Sequence, residues 1–205
     1  NNYGQVSAPA GERFTAIATG TTHNCGLRAG GSVVCWGNNS DGQATPPNKQ
    51  SFVAISAGVS YTCGLRSDGV ATCWGSNNNG SLNIPFGETF TAISAGNFHA
   101  CGLRATGVGV CWGNGLVASI AGSQVSTALA AGGVHTCTIS QTGTAVCGGV
   151  NTYGQASPPL VKGNRYTAMA SGFNHTCALN QNGNVVCWGD NTYGQTTAPR
   201  GPFGM

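Results

Sequence analysis

Ten cysteines, four histidines and five carboxylates are the side chains of this sequence with reactive chemistry to offer. The cysteines fall into five pairs of one spacing, C-x9-C: Cys25 with Cys35, Cys63 with Cys73, Cys101 with Cys111, Cys137 with Cys147, and Cys177 with Cys187. Thiols in such numbers either ligate a metal or oxidise to disulfides. Zinc sites group their ligands at short spacings such as C-x2-C, which none of these pairs has, so disulfides are expected and a metal is not. Paired cysteines at this density also point to an oxidising setting, extracellular or at the cell surface, because cytosolic thiol pools keep such pairs reduced.

The remaining reactive residues give enzyme chemistry little support. His23, His99, His135 and His175 occupy one slot relative to the cysteines, with Tyr61 in the remaining unit. A residue repeated once per unit is expected to be structural, since its copies lie too far apart to converge on one substrate or metal. The acids Glu12, Asp41, Asp68, Glu88 and Asp190 are scattered over turns and links. No two are spaced for acid and base work, and no nucleophile has a local histidine outside the repeated slot. A non-catalytic protein without cofactor is expected.

The elements that position the cysteines follow from their period. The pairs recur every 38, 38, 36 and 40 residues, so the chain reads as one repeat domain over 1–205. A partial repeat covers about 1–11, and five units cover about 12–49, 50–87, 88–123, 124–163 and 164–205. Each unit reads as four short strands. The first carries an aromatic eleven residues before the cysteine (Phe14, Phe52, Phe90, Tyr166) and an aliphatic three further on. A glycine follows in every unit (Gly20, Gly58, Gly96, Gly132, Gly172), as a positive-φ turn or a close backbone approach requires. The second and third strands form a hairpin about a tight turn such as Ser67-Asp68-Gly69. In a hairpin centred on residue 30, Cys25 opposes Cys35 and Leu27 opposes Val33. Opposed strand residues sit about 4.5 to 5.5 Å apart at Cα, within disulfide reach, so each pair is expected to bridge locally.

Composition narrows the partners. Charged residues are 6% of the chain and the formal net charge is +3, against nucleic-acid binding through many phosphate contacts. No stretch approaches the roughly 20 apolar residues of a membrane-spanning helix, so direct membrane insertion is not expected. Asn1-Asn2-Tyr3-Gly4-Gln5 copies Asn191-Thr192-Tyr193-Gly194-Gln195, so the chain starts inside a repeat and reads as a piece of something longer.

Four-strand units of about 38 residues with glycine-rich turns fit the blades of an all-β propeller, five repeats with one hairpin disulfide each. A β-solenoid is the alternative, and the period-2 pattern excludes a helical solenoid. The phrase from Phe52 to Pro85, F-x-x-I-S-A-G-x-x-x-T-C-G-L-R-S-D-G-x-x-T-C-W-G-x-N-x-x-G, resembles the repeats of the regulator of chromosome condensation family. The resemblance is strongest to its secreted, disulfide-bearing relatives in bacteria and in crinkly-type receptor ectodomains, and it covers essentially the whole chain. It implies a propeller. The family's nuclear nucleotide-exchange role is not carried over, because disulfides and weak basicity contradict it. Familiar members have seven blades, so either five close a ring, or blades are missing, or neighbouring chains complete it.

Several residues are candidates for binding. Arg28, Arg66 and Arg104 share the hairpin-turn slot of three consecutive units and form a candidate basic arc for a protein or glycan partner. Asn38, Asn79 and Asn174 begin N-x-S/T glycosylation sequons. Trp36, Trp74, Trp112 and Trp188 follow the second cysteine and are expected to pack between blades rather than stack on sugars. The fourth unit has Ser126 in the aromatic slot and Gly148 in the tryptophan slot, which suggests that these slots touch elsewhere. Its preceding link, Asn114-Gly115-Leu116-Val117, is also abnormal and marks that junction as a place to depart from scaffold duty. The function read from these features is a non-catalytic extracellular interaction or structural module, either a building block of a surface assembly or fibre or a protein-recognition head. A carbohydrate-binding, lectin-like propeller is the alternative.

Overall fold

A computed structural model of the chain describes residues 1–114, 124–160, 165–198 and 201. Among them the structure is all-β, with five antiparallel sheets of three strands in sequential order. The first sheet is Ala16–Thr19, His23–Leu27 and Val33–Gly37, and the second is Ala54–Ala57, Tyr61–Leu65 and Ala71–Gly75. The third is Ala92–Ala95, His99–Leu103 and Gly109–Gly113, and the fourth is Ser126–Ala131, His135–Ser140 and Ala145–Gly149. Tyr166–Ser171, His175–Asn180 and Val185–Gly189 make the fifth.

The hairpin arithmetic holds in every sheet. Cys25 opposes Cys35 and Leu27 opposes Val33, and in the same register Cys63 opposes Cys73, Cys101 opposes Cys111, Cys137 opposes Cys147 and Cys177 opposes Cys187. All five pairs are bridged, and no cysteine is free. Their Cα atoms are 4.0 Å apart, closer than the 4.5 to 5.5 Å expected of opposed strand residues. The two ends of a bridge differ in surroundings. Cys25, Cys63, Cys101 and Cys137 are buried on the central strands, whereas Cys35, Cys73, Cys111, Cys147 and Cys187, on the outer third strands, are half-buried.

The expected fourth strand is absent from every sheet among the described residues. The links after the third strands of the first, second, fourth and fifth sheets turn twice instead. In the first link, Gly42 N–H donates to the Asn39 carbonyl and Thr45 N–H to the Gly42 carbonyl, while the Asn39 side chain accepts from Ala44 N–H. An asparagine that satisfies nearby backbone, a left-handed Gly42 (φ 82°) and the following Pro46-Pro47 all oppose a ladder. The link serves the next sheet through one carbonyl. Gln43 O accepts from the Trp74 indole at 3.0 Å and the Thr62 hydroxyl at 3.1 Å.

The first strands of all five sheets line one central cavity of about 380 Å³, the arrangement of propeller blades about a channel. The hydrophobic core lies between consecutive blades rather than within them. Leu27 packs with Phe52 and Trp74 of the next blade, Leu65 with Phe90 and Trp112, and Ile139 with Tyr166 and Trp188. Each large side chain so buried contributes roughly 1.5 to 3 kcal/mol. The hairpin-turn glycine of one blade, such as Gly31 at φ 82°, offers its carbonyl to the N–H of the next blade's Phe52. The glycine ahead of each second strand serves close approach and not positive φ. A Cβ on Gly20 would lie 2.5 Å from the Gly58 carbonyl of the next blade.

A second glycine slot explains the fourth blade. Gly26, Gly64 and Gly102 lie directly under the rings of Phe14, Phe52 and Phe90, where a Cβ would overlap the ring. Those rings pack on Trp36, Trp74 and Trp112 with centroids 5.5 to 5.8 Å apart. Where the aromatic is Ser126 and the tryptophan Gly148, the glycine slot holds the larger Thr138, fully buried. Large and small trade places across one contact. Gly102→Val should therefore cost about 3 kcal/mol by overpacking. Urea unfolding of Gly102→Val, Phe90→Ser and the double variant should give a favourable coupling of at least about 1 kcal/mol, whereas simple additivity would contradict the contact.

Candidate functional site

The histidines close each blade on the next. His23 Nε2 meets the Thr62 hydroxyl at 2.8 Å, His99 meets Thr136 at 2.7 Å and His135 meets Thr176 at 2.6 Å. The Thr62 hydroxyl proton is committed to the Gln43 carbonyl, so His23 must donate from Nε2. Its Nδ1, like those of His99 and His135, is then buried without a partner. Burial pushes all three imidazoles down to about 4, helped at His99 by the charge of His135 and at His135 by that of His175. These side chains are neutral links in a scaffold at physiological pH.

Tyr61 fills the same slot where the next blade offers Ala100 in place of threonine. Its longer hydroxyl passes over the alanine to donate to the backbone carbonyls of Gly96 and His99. Burial raises its pKa. The slot thus follows its neighbour: histidine before threonine, tyrosine before alanine. Partners 37 to 41 residues apart concealed this pairing in the sequence, although the threonine immediately before Cys63, Cys137 and Cys177 was there to be matched.

The tryptophans are scaffold too. Trp36, Trp74, Trp112 and Trp188 donate their indole N–H to the link carbonyls of Gln5, Gln43, Ser81 and Gln155. Trp74, Trp112 and Trp188 are buried, and each of the four packs on its blade's aromatic, stacked at Trp36 and Trp112 and tilted at Trp74 and Trp188.

The arginine arc is present on one set of hairpin turns, but its charge is answered. Arg28 grips Glu12 with two contacts, Nε to Oε2 at 2.7 Å and Nη2 to Oε1 at 2.5 Å. Arg104 grips Glu88 in the same way, and Arg66 Nη2 pairs with Asp68 Oδ2 at 2.5 Å. The hydrogen bonds from Arg28 and Arg104 hold the carboxyls of Glu12 and Glu88 below the usual carboxylate range. Glu12 and Glu88 stand two residues before the aromatic slot, where the second unit has Gln50. The rim is a row of three partly exposed ion pairs rather than a field of bare cations.

Asn79 is exposed in its link, whereas Asn38 and Asn174 are half-buried. The Asn38 side chain accepts from Ser40 N–H, and Thr176 of the third sequon is consumed by His135. Past Asn114, the abnormal junction before the fourth blade lies outside the described residues through 123. Among the described residues, no group of three or more histidine, cysteine, aspartate or glutamate side chains is placed to hold a metal ion.

The family model for the Regulator of chromosome condensation (RCC1) repeat matches residues 14–43, 52–81 and 166–195, three complete copies of the aromatic-to-link pattern. No curated protein matches the sequence. Among solved structures, the chain is similar to the CRINKLY WD40 ectodomain of the Arabidopsis thaliana receptor kinase ACR4. The two are 28% identical with a TM-score of 0.73, covering 89% of this chain and 65% of that one. The entire ectodomain of the Physcomitrella patens receptor kinase CR4 is also 28% identical, with a TM-score of 0.75 over 89% of this chain and 52% of that one. Yeast RCC1, crystallised with Kap60, shares the fold with a TM-score of 0.77 at 18% identity, over 94% and 60% of the two chains. The chain thus spans between about half and two thirds of the length of each of these structures. Three of the five units thus match the Regulator of chromosome condensation (RCC1) repeat, and the fold is similar to that of the crinkly-type receptor ectodomains.

Proposed function

We propose that the protein is a non-catalytic extracellular module that binds another protein through its rim. The observation that carries this reading is where the reactive side chains have gone. The cysteines are bridged, three histidines and Tyr61 hold blade to blade, and the tryptophans face the links. What is left for a partner is the rim of Arg28–Glu12, Arg66–Asp68 and Arg104–Glu88, with both signs of charge at close spacing. Such a surface suits the mixed charges of a protein better than a polyanion. The five disulfides and the similarity to receptor ectodomains support an extracellular setting, and single-domain organisation over 1–205 is part of the same proposal.

The competing lectin reading loses its stacking platform with the tryptophans packed away, which leaves exposed Tyr3, Phe86, Tyr153, Phe173 and Tyr193 as its aromatic candidates among the described residues. Screening the oxidised protein against an array of extracellular protein domains and, in parallel, against a glycan array separates the two. Protein hits that weaken at least tenfold in the Arg28→Glu, Arg66→Glu, Arg104→Glu variant are expected. Hits confined to glycans would overturn the reading in favour of a lectin.

A further inference from the structure

Four times in this chain the same interface is built from the same two halves. The leading blade offers a histidine or tyrosine, its first cysteine, an aliphatic two residues later and a turn-glycine carbonyl. The following blade answers with a hydroxyl or alanine, the backbone N–H of its aromatic-slot residue and, in three of the four, an aromatic ring and a tryptophan. Within these interfaces Cys25, Cys63, Cys101 and Cys137 are at most 1% exposed, and Leu27, Leu65, Leu103 and Ile139 at most 5%.

The fifth blade carries the whole leading half with nothing against it among the described residues. His175, Cys177 and Leu179 are only half-buried, and Ala168 and Ala170 are exposed. Cys177, Leu179, Ala168 and Ala170, with Met169, Ala178 and Val185, line an open apolar hollow of about 250 Å³. The turn is ready, with Gly183 at φ 76° as Gly31 is at 82°. The link is ready as well, because Gly194 N–H donates to Asn191 O and Thr197 N–H to Gly194 O, as Gly42 and Thr45 do in the first link. That geometry presents the Gln195 carbonyl in the role Gln43 plays for Thr62 and Trp74.

We infer that this face is a docking surface for a further blade of the same repeat, joined in tandem through the 191–198 link and carrying a threonine immediately before its first cysteine. The face continues an interface made four times already, and the slot pairing specifies the occupant. His23, His99 and His135 each meet a threonine hydroxyl, while Tyr61 precedes an alanine, so His175 calls for a hydroxyl. A second copy of this chain fits less well. Its first blade would offer Asn24, and both Asn24 and Trp36 already donate to Gln5 O, so residues 1–5 would have to leave. The inference rests on the repeat architecture and is independent of the proposed binding role.

Diethyl pyrocarbonate labelling of histidine, read by mass spectrometry, tests it. In the 205-residue chain, His175 should label readily while His23, His99 and His135 resist. A chain in which a second copy of residues 46–87 follows Thr197 supplies Phe52, Thr62 and Trp74 to the open face. There, His175 labelling should slow at least tenfold, and Thr→Val at the appended threonine should restore part of the rate. Unchanged labelling, or failure of the appended hairpin to form its disulfide, would overturn the inference. So would protection of His175 that rises with concentration in the 205-residue chain, with a dimer by light scattering, because the occupant would then be a second copy.

Discussion

Reduction of the five disulfides should unfold this protein at room temperature. Each bridge closes a loop of sequence separation 10, which the chain-entropy estimate values at up to about 2.5 to 3 kcal/mol. Five such terms reach the order of 13 kcal/mol if additive, comparable to the whole stability of an ordinary domain at about 5 to 15 kcal/mol. With charged residues at 6% of the sequence, no network of surface ion pairs compensates. Circular dichroism with and without a phosphine reductant should show a folded oxidised form and a largely unfolded reduced one. Replacing one pair, Cys63→Ala with Cys73→Ala, should cost about 3 kcal/mol by the same estimate and leave the other blades folded. A reduced protein that melts where the oxidised one does would show that the interblade core alone carries the fold.

Acid should destabilise the oxidised protein in a defined window. His23, His99 and His135 are held neutral with pKa values near 4, below the value of about 6.5 expected in the unfolded chain. Between those values the unfolded state binds more protons, so stability falls as the pH falls. The contribution is fully present above about pH 6.5, declines below it, and levels off under about pH 4. Allowing for partial solvent screening, each histidine is worth of order 2 kcal/mol over that range. Three together should lower the urea midpoint strongly between pH 7 and pH 4. The His99→Tyr, Thr136→Ala variant recreates the Tyr61–Ala100 pairing and should flatten the profile by about one third. A profile unchanged by that exchange would contradict the assignment.

Legibility in the sequence followed the distance between partners. The hairpin register is readable because Cys25 and Cys35 lie within one turn of each other, and the period fixes the number of units. Contact between the aromatic and tryptophan slots is readable only because the fourth unit lost both together, at Ser126 and Gly148. The four-strand unit is not borne out, since Asn39, Gly42 and the two prolines after them favour turns over a ladder. The arginine slot is where the spacing puts it, but its acids are hard to match to it, because Glu12 and Glu88 sit 16 residues upstream in a different element. Pairings across blades, such as His135 with Thr176, carry no local signal. They emerge only when consecutive units are compared slot against slot.

Peptide mapping of the non-reduced protein tests the central claim, a disulfide-stapled propeller suited to an oxidising environment, most directly. Digestion without reductant, after blocking any free thiols, should yield five cross-linked pairs, each joining the two cysteines of one C-x9-C hairpin, with no blocked thiol. Free thiols in the folded protein, or bridges joining different hairpins, such as Cys111 with Cys147, would contradict the blade register and the proposed extracellular setting.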